Sequence, residues 1–299
     1  MIPTRDRAAQ LRQAVQSVIN STLAPTAQDI IVVDDGSEDE TPSVARDLGV
    51  RYVRIAGGGP SGSRNAGLRL SESEFVAFLD DDDVWLSDNM VKQLEGLCEH
   101  PAAAFAYGRV LRTNEALEPF GEPIPPPPLP SGSILDFVAY YDLQLGAILF
   151  RRPAIEAVGG FDPDLRFTQD SDLLVRLAAN YPAVGVDTVG SLFRQRPPNQ
   201  RDAASRWPAH SARMAARRKW RRSGIPISLR ARIRSDLNYR GMASFFFCGD
   251  AAMALTAGRK RDALTALIHG LRVSPVHCVL GHRRFWSLLP KFARALTAR

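Results

Sequence analysis

Two short apolar runs that each end directly in aspartates constrain the fold of this chain most strongly. Residues 29–35 (DIIVVDD) and 75–80 (FVAFLD) have the pattern of buried parallel strands. Helical spacing over residues 7–20, 63–70 and 91–100 alternates with them. This alternation predicts an α/β fold, with a mostly parallel sheet and helices on both faces. Ligands of such sheets bind at the carboxyl ends of the strands, where both aspartate clusters fall.

Charge divides the chain into two regions of opposite character. Residues 1–199 contain 17 Lys and Arg against 28 Asp and Glu, whereas residues 200–299 contain 21 against 4. Helical periodicity without strands begins near residue 203. We therefore predict an α/β domain over residues 1–200 and a basic helical region over residues 201–299. The proline-rich stretch 123–130 is expected to be an extended loop within the first domain.

The first aspartate pair, Asp34 and Asp35, ends a strand and precedes Gly36, which permits a sharp turn. A carboxylate at this point can accept hydrogen bonds from ribose hydroxyls or from the N–H of a base. A second interpretation is helix capping by Ser37 or Asp39. The two interpretations are compatible with each other.

Four consecutive aspartates, Asp80 to Asp83, follow the second apolar strand. Adjacent carboxylates repel one another, and Mg²⁺ or Mn²⁺ relieves that repulsion because both ions prefer hard oxygen ligands. Such an ion would bridge to a diphosphate and neutralise charge on a departing nucleotide. The alternative is a solvated acidic loop that caps the next helix. The sequence thus predicts a divalent metal site in this run.

The glycine-rich stretch after residue 56 leaves two interpretations open. Gly57, Gly59 and Gly62 have the spacing of a dinucleotide-binding turn, and an aspartate follows roughly 20 residues later, which favours a dehydrogenase. That interpretation gives neither aspartate cluster a role. We favour a turn that leads into a helix, with Arg64 in its first turn facing phosphates or a nucleotide.

Asp170 lies just before a predicted helix over residues 172–180. A carboxylate at the mouth of a helix that faces an acceptor can take a proton from an acceptor hydroxyl. The alternative is N-capping of this helix by Asp170 or Asp172.

Six segments in order resemble the family 2 glycosyltransferases, which are inverting enzymes with the GT-A fold. The resemblance extends over residues 1 to about 196. The segments are Ile2–Arg7, Ile31–Ser37, Gly62–Leu68, Phe78–Asp83, Gly159–Asp162 and Gln169–Leu173. The resemblance implies a GT-A catalytic domain over residues 1–200. Its nucleotide-sugar-binding half would cover residues 1–115, and its acceptor-binding half residues 131–200.

The resemblance also implies a role for individual side chains. Asp170 would be the general base of an in-line displacement that inverts the anomeric centre. Asp82 would bind Mn²⁺ or Mg²⁺, with Asp80 and Asp83 as adjacent alternatives. The donor, expected to be a UDP- or dTDP-sugar, would be bound by Thr4, Arg5, Asp34, Asp35, Arg64 and Asp81.

Two departures from the family pattern accompany the resemblance. Arg5-Asp6 stands where the family often has Tyr-Asn, and Gln169-Asp170 where it often has Glu-Asp. Two further alternatives stay open at this point. Asp80 to Val84 fits the D-x-D-x-V motif of haloacid dehalogenase-like phosphatases, although the lysine they need downstream is hard to find. A non-catalytic nucleotide-sugar-binding protein is the other alternative.

Basic residues interleave with aromatic ones in two parts of the C-terminal region, residues 206–222 and 283–296. Such helices suit an anionic membrane surface, whereas the alternative is packing on the acidic domain. No signal peptide is recognised, and three scattered cysteines favour a reducing compartment. We therefore expect a cytoplasmic protein, peripheral at the inner face of the cell membrane. Its acceptor would be a glycan or a lipid-linked glycan, and no nucleic-acid partner is expected.

Overall fold

The computed structural model describes residues 1–22, 29–165, 167–195 and 203–274. Its strands are β1 Ile2–Thr4, β2 Ile31–Asp34, β3 Arg51–Arg54, β4 Phe75–Ala77, β5 Val84–Trp85, β6 Phe105–Thr113, β7 Ile148–Arg151 and β8 Ala183–Arg194. Its helices are α1 Ala8–Ile19, α2 Thr41–Asp47, α3 Gly59–Leu70, α4 Val91–Glu99, α5 Leu135–Tyr140, α6 Arg152–Ala157, α7 Gln169–Asn180, α8 Ala203–Arg222, α9 Leu229–Thr256 and α10 Lys260–Val273.

The strands form a three-stranded and a five-stranded sheet that meet at β1 and β4. The first sheet has the order β1-β2-β3 and is parallel throughout. The second has the order β4-β7-β6-β8-β5, in which only β6 and β8 pair in parallel. The N–H of Leu79 donates to the carbonyl oxygen of Met1 (3.1 Å), and the terminal nitrogen of Met1 donates to that of Ala77 (2.9 Å). These bonds give the continuous order β3-β2-β1-β4, in which the strand sequence reverses beside β1.

The core fills both sides of this junction. Leu11 and Val15 of α1 are fully buried against Ile2 and Val32 because apolar residues recur on one face of the helix. A cluster of aromatic rings lies under the second sheet, where Phe78 contacts Phe161 edge to face at 5.0 Å. This packing fixes the carboxyl ends of β1 and β4 against each other.

Most elements predicted from the sequence are present, with shifted boundaries. Helix α3 begins at Gly59, four residues before the predicted start, with Pro60 in its first turn. Helix α7 begins at Gln169, so Asp170 lies inside its first turn. A 3₁₀ turn at Leu145–Ala147 leads directly into β7. Strands β5, β6 and β8 were not predicted.

The chain divides into two compact units. One comprises Met1–Arg196 with Trp220–Pro226, and the other comprises Pro197–Lys219 with Ile227–Arg299. The predicted domain boundary at residue 200 stays a prediction. That residues 220–226 belong to the first unit could not be predicted from the sequence. Among helices of the described ranges, none combines the length and the apolar character needed to cross a bilayer.

Candidate active site

The candidate active site is a cavity of about 560 Å³ where β1, β2 and β4 end. Its position beside the reversal of strand order is the usual ligand position of an open α/β sheet. Predicted site residues that line it are Thr4, Arg5, Asp35, Arg64, Asp80, Asp81 and Asp82. Within the described lining, Asp34, Asp83 and Asp170 do not occur, although Gln169, the neighbour of Asp170, does.

Asp81 joins the ends of β1 and β4. The hydroxyl of Thr4 donates to its Oδ2 at 2.8 Å, and the guanidinium of Arg7 donates to its Oδ1 at 2.7 Å. Burial raises the pKa of Asp81 to about 6, while Arg7 and Thr4 oppose the shift. The side chain is therefore held in one orientation by Thr4, the last residue of β1, and by Arg7 in the loop that follows.

Arg7 supplies the cation of this loop, and the sequence analysis assigned it no role. Its Nη1 lies 2.7 Å from Asp81 Oδ1 and 2.7 Å from Asp82 Oδ2, so one guanidinium nitrogen bridges two carboxylates. Arg7 immediately precedes α1 and lies three residues after Thr4. That proximity in sequence to a predicted donor-binding residue is the signal that could have identified it.

The predicted metal ligands come together in space. Asp80, Asp82 and Asp83 each offer a carboxylate oxygen, and these oxygens lie within 4.8 Å of one another. Burial, and secondarily the neighbouring carboxylates, raise the pKa of Asp82 and of Asp83. Asp83 Oδ1 also accepts the backbone N–H of Arg194 at 2.8 Å. An all-oxygen donor set of this size fits Mg²⁺ or Mn²⁺, and Arg7 already contacts one of the two oxygens of Asp82.

Arg64 is a buried cation with unused donors. Its side chain is only 5% exposed, and Nη2 donates to Asp80 Oδ1 at 2.5 Å. Its Nε and Nη1 have no hydrogen-bond partner among the described residues. The guanidinium also lies 5.4 Å from the ring centroid of Phe161. Buried unsatisfied donors are costly, so this arrangement favours an anionic ligand in the cavity.

Asp34 and Asp35 have different surroundings. Asp34 is fully buried, and its oxygens accept the N–H and hydroxyl of Ser37 and the hydroxyl of Tyr52. Its carboxylate is thus engaged inside the protein. Asp35 accepts the N–H of Gly59 with Oδ2, whereas its buried Oδ1 has no partner in the described part of the chain. Of the two, Asp35 is the one that faces the cavity. The N-cap residue of α2 is Glu40, not Ser37 or Asp39, and it makes no side-chain capping bond, although Asp39 does accept the N–H of Thr41.

The opposite wall carries the start of α7. Gln169 lines the cavity, and its Oε1 is buried without a partner among the described residues. Asp170 follows in the first turn, half-buried, and its Oδ1 accepts the N–H of Ser171 at 2.8 Å. Arg5 lies at the rim, with 63% of its side chain exposed.

Asp81 gives the metal-free protein a defined dependence of stability on pH. Its pKa is about 6 in the folded state against 3.8 for an ordinary aspartate, so the folded state holds the proton more tightly. This contribution to stability is fully present below the ordinary pKa and is lost as pH rises through about 6. Asp81→Asn stays uncharged. As pH rises from about 4 to about 8, the wild type should lose about 2–3 kcal/mol of its free energy of unfolding relative to this variant. Urea unfolding in the presence of a chelator measures the free energy of unfolding of both proteins. If the difference between the two values did not change with pH, the prediction would be contradicted.

Comparison with known proteins gives the site its context. The model of glycosyl transferase family 2 matches residues 1–159. A GalNAc(5)-diNAcBac-PP-undecaprenol beta-1,3-glucosyltransferase of Campylobacter jejuni is 39% identical over 94 residues, covering 29% of this chain and 30% of that protein. The chain therefore aligns with less than a third of the length of this curated relative.

Solved structures share the fold at low sequence identity. S. aureus TarS (residues 1–349) in complex with UDP-GlcNAc has a TM-score of 0.58 at 15% identity, covering 99% of this chain and 78% of that one. The mannosyltransferase PcManGT of Pyrobaculum calidifontis, in complex with GDP-Man and Mn²⁺, has a TM-score of 0.59 at 18% identity, covering 99% and 79%. The predicted GT-A-type fold is confirmed. Because the family model matches more than half of its 299 residues, the chain belongs to glycosyl transferase family 2.

Proposed function

We propose that this protein is an inverting, metal-dependent glycosyltransferase that moves a sugar from a nucleotide-sugar donor to a hydroxyl of a glycan or lipid-linked acceptor. One observation carries the proposal. A single cavity is lined by Asp35 and Arg64, which each have buried polar atoms without a partner among the described residues, and by the aspartate loop. The carboxylate of Asp35 suits hydroxyls or a base, the guanidinium of Arg64 suits phosphate, and the aspartate loop suits a divalent cation.

The donor is proposed to be a UDP- or dTDP-sugar. Two proteins of the same fold bind UDP-GlcNAc and GDP-Man, the latter with Mn²⁺. In this chain, Thr4, Arg5 and Asp35 would bind the nucleoside, and Arg64 the diphosphate. Arg64 is only 5% exposed, and the low dielectric around a buried guanidinium strengthens its interaction with an anion.

The proposed reaction is one in-line displacement. Asp170 takes the proton of the acceptor hydroxyl as its oxygen forms a bond to the anomeric carbon. The bond from that carbon to the phosphate oxygen breaks, and the nucleoside diphosphate leaves with the electron pair. Arg64 stabilises the charge that develops on the leaving group. Mn²⁺ or Mg²⁺ held by Asp80, Asp82 and Asp83 would supply further neutralisation of that charge.

Neither rival enzyme class has comparable support. A dinucleotide-binding turn follows the strand at the reversal of strand order, whereas the glycine-rich turn here follows the edge strand β3. A phosphatase of the haloacid dehalogenase type needs a lysine beside its aspartates, and the described lining of the cavity offers arginine instead.

The function is tested with a panel of nucleotide sugars, each incubated with and without Mn²⁺. Release of nucleoside diphosphate is measured, and donor binding is measured by calorimetry. We expect metal-dependent release from one donor, increased by a glycan or lipid-linked acceptor. Absence of both release and metal-dependent donor binding across the panel would contradict the proposal.

We further propose that helix α9 brings the protein to an anionic membrane surface. Leu229, Ile233 and Leu237 recur every fourth residue and are 70%, 52% and 53% exposed. Exposed Arg230 and Arg234 flank this stripe. An apolar stripe bordered by arginines suits the interface of an anionic bilayer. An undecaprenol-linked acceptor, as in the name of the C. jejuni relative, would be reached from such a surface. Of the basic segments predicted from the sequence, residues 283–296 and the side chain of Trp207 lie outside the described part.

Replacing Leu229, Ile233 and Leu237 together with serine is expected to weaken vesicle binding at least about tenfold, since three apolar side chains no longer enter the interface. Co-sedimentation with phosphatidylglycerol-containing vesicles measures the change. The matched control is Leu264→Ser with Ile268→Ser, which removes exposed apolar residues from α10. Equal losses in both variants, or equal binding to vesicles of phosphatidylcholine alone, would contradict the proposal.

A further inference from the structure

Trp220 is a buried aromatic residue that belongs to the first compact unit although it ends a helix far along the chain. It lies in the last turn of α8 and is 6% exposed. The stretch Trp220–Pro226 belongs to the same unit as residues 1–196. Gly224, in the left-handed region with φ of 71°, ends the helix, and the N–H of Ile225 donates to the carbonyl oxygen of Trp220.

The indole N–H of Trp220 forms a hydrogen bond with α7, the helix that carries Asp170. It donates to Asp172 Oδ1 at 2.9 Å, in a fully buried position. The other oxygen of Asp172 accepts the Nε of Arg176 at 2.8 Å. Asp172 is in the first turn of α7, two residues after Asp170, and its own N–H closes that turn on the carbonyl oxygen of Thr168. The first turn of α7 is thus held from the protein interior by a buried carboxylate with two donors.

The same carboxylate is linked onward to the donor side of the cavity. Arg176 donates to the carbonyl oxygens of Val158 (2.6 Å) and Gly160 (2.8 Å). Asn65 then binds both backbone groups of Phe161, at 2.7 and 2.9 Å. The ring of Phe161 underlies the guanidinium of Arg64, which lines the cavity. A continuous set of contacts therefore runs from Trp220 to both walls of the site.

We infer that Trp220 is a positioning residue, which orients the start of α7, and with it Asp170, through its hydrogen bond to Asp172. The inference rests on the proposed role of Asp170 as general base. A buried carboxylate that loses a donor shifts to regain a partner, and α7 shifts with it. Small displacements of a reacting group lower the rate strongly, whereas Arg64 is separated from Asp172 by several further contacts and should keep its position.

Trp220→Phe removes the N–H and keeps most of the ring. We expect kcat for transfer to fall between about 10- and 100-fold, because Asp170 moves slightly away from the position in which it takes the acceptor proton. The donor KM should stay within about twofold, since donor contacts are retained. The matched control is Trp85→Phe, because the buried indole N–H of Trp85 has no partner among the described residues. Trp85→Phe should leave kcat unchanged.

Hydrogen exchange of the backbone amides at the start of α7 supplies a second readout, which needs no turnover. Exchange should accelerate in Trp220→Phe and not in Trp85→Phe. Wild-type kcat and exchange in Trp220→Phe would overturn the inference, as would parallel losses of kcat and donor affinity. If the wild type transfers no sugar, the proposed function fails by itself, and exchange still decides whether Trp220 holds α7. Should Trp220→Phe not fold, Asp172→Ala removes the acceptor of the same hydrogen bond and is expected to lower kcat in the same way.

Discussion

Replacing Asp170 with asparagine is expected to lower kcat of sugar transfer about 10²- to 10⁴-fold, because the variant has no group that takes the acceptor proton. Asparagine has nearly the same size, and its carbonyl oxygen still accepts the N–H of Ser171, as Asp170 does. The start of α7 should therefore keep its shape. Donor affinity, measured by calorimetry with Mn²⁺, is expected to match the wild type, so the loss should fall on kcat alone.

Asp164→Asn is the control for this experiment, since Asp164 is an exposed aspartate on the loop before α7. It should transfer sugar at the wild-type rate. Retention of wild-type kcat in Asp170→Asn would remove this residue from the mechanism.

Asp82→Ala is expected to abolish Mn²⁺ binding and to lower transfer by about 10³-fold or more, since the charge neutralisation supplied by a metal is worth several kcal/mol. Asp82 is one of three carboxylates whose oxygens lie within 4.8 Å of one another. Arg7 keeps its bond to Asp81 in the variant, so the loop should remain folded. Calorimetric titration with Mn²⁺, with and without donor, measures the binding directly.

Asp88→Ala provides the comparison, because Asp88 is an exposed aspartate that accepts the hydroxyl of Thr22 outside the metal cluster. Its Mn²⁺ affinity should equal that of the wild type. Wild-type Mn²⁺ affinity in Asp82→Ala would show that the metal, if it binds, uses other ligands.

The parts of the fold that could be predicted are those with local signals. Strand β2 is apolar up to Asp34, β4 is apolar and is followed three residues later by Asp80, and α1 has a clear apolar face. Strands β6 and β8 carry no such signal because their burial is irregular and their pairing contains register shifts. Their positions depend on partners far away in the sequence, which a single sequence does not reveal.

The site divides in the same way. The run from Asp80 to Asp83 is conspicuous in the sequence, and the structure brings three of these four aspartates into one cluster. The separate tasks of Asp34 and Asp35 could not be told apart, because they depend on the hydroxyl of Tyr52 on the neighbouring strand. Trp220 follows Asp172 by 48 residues, so only the folded chain brings them together. Their roles in donor binding and catalysis stay predictions until the variants are measured.

The guanidinium of Arg7 acts as a tethered counterion for the aspartate loop. Because it is attached to the chain, it is present at a high effective concentration, and a free metal ion must compete with it for Asp82. A donor diphosphate offers Arg7 another anion to bind. The ion and the donor are therefore expected to bind cooperatively. The Mn²⁺ titrations with and without donor measure this cooperativity. In the metal-free protein an internal cation thus stands where an external one is proposed to bind.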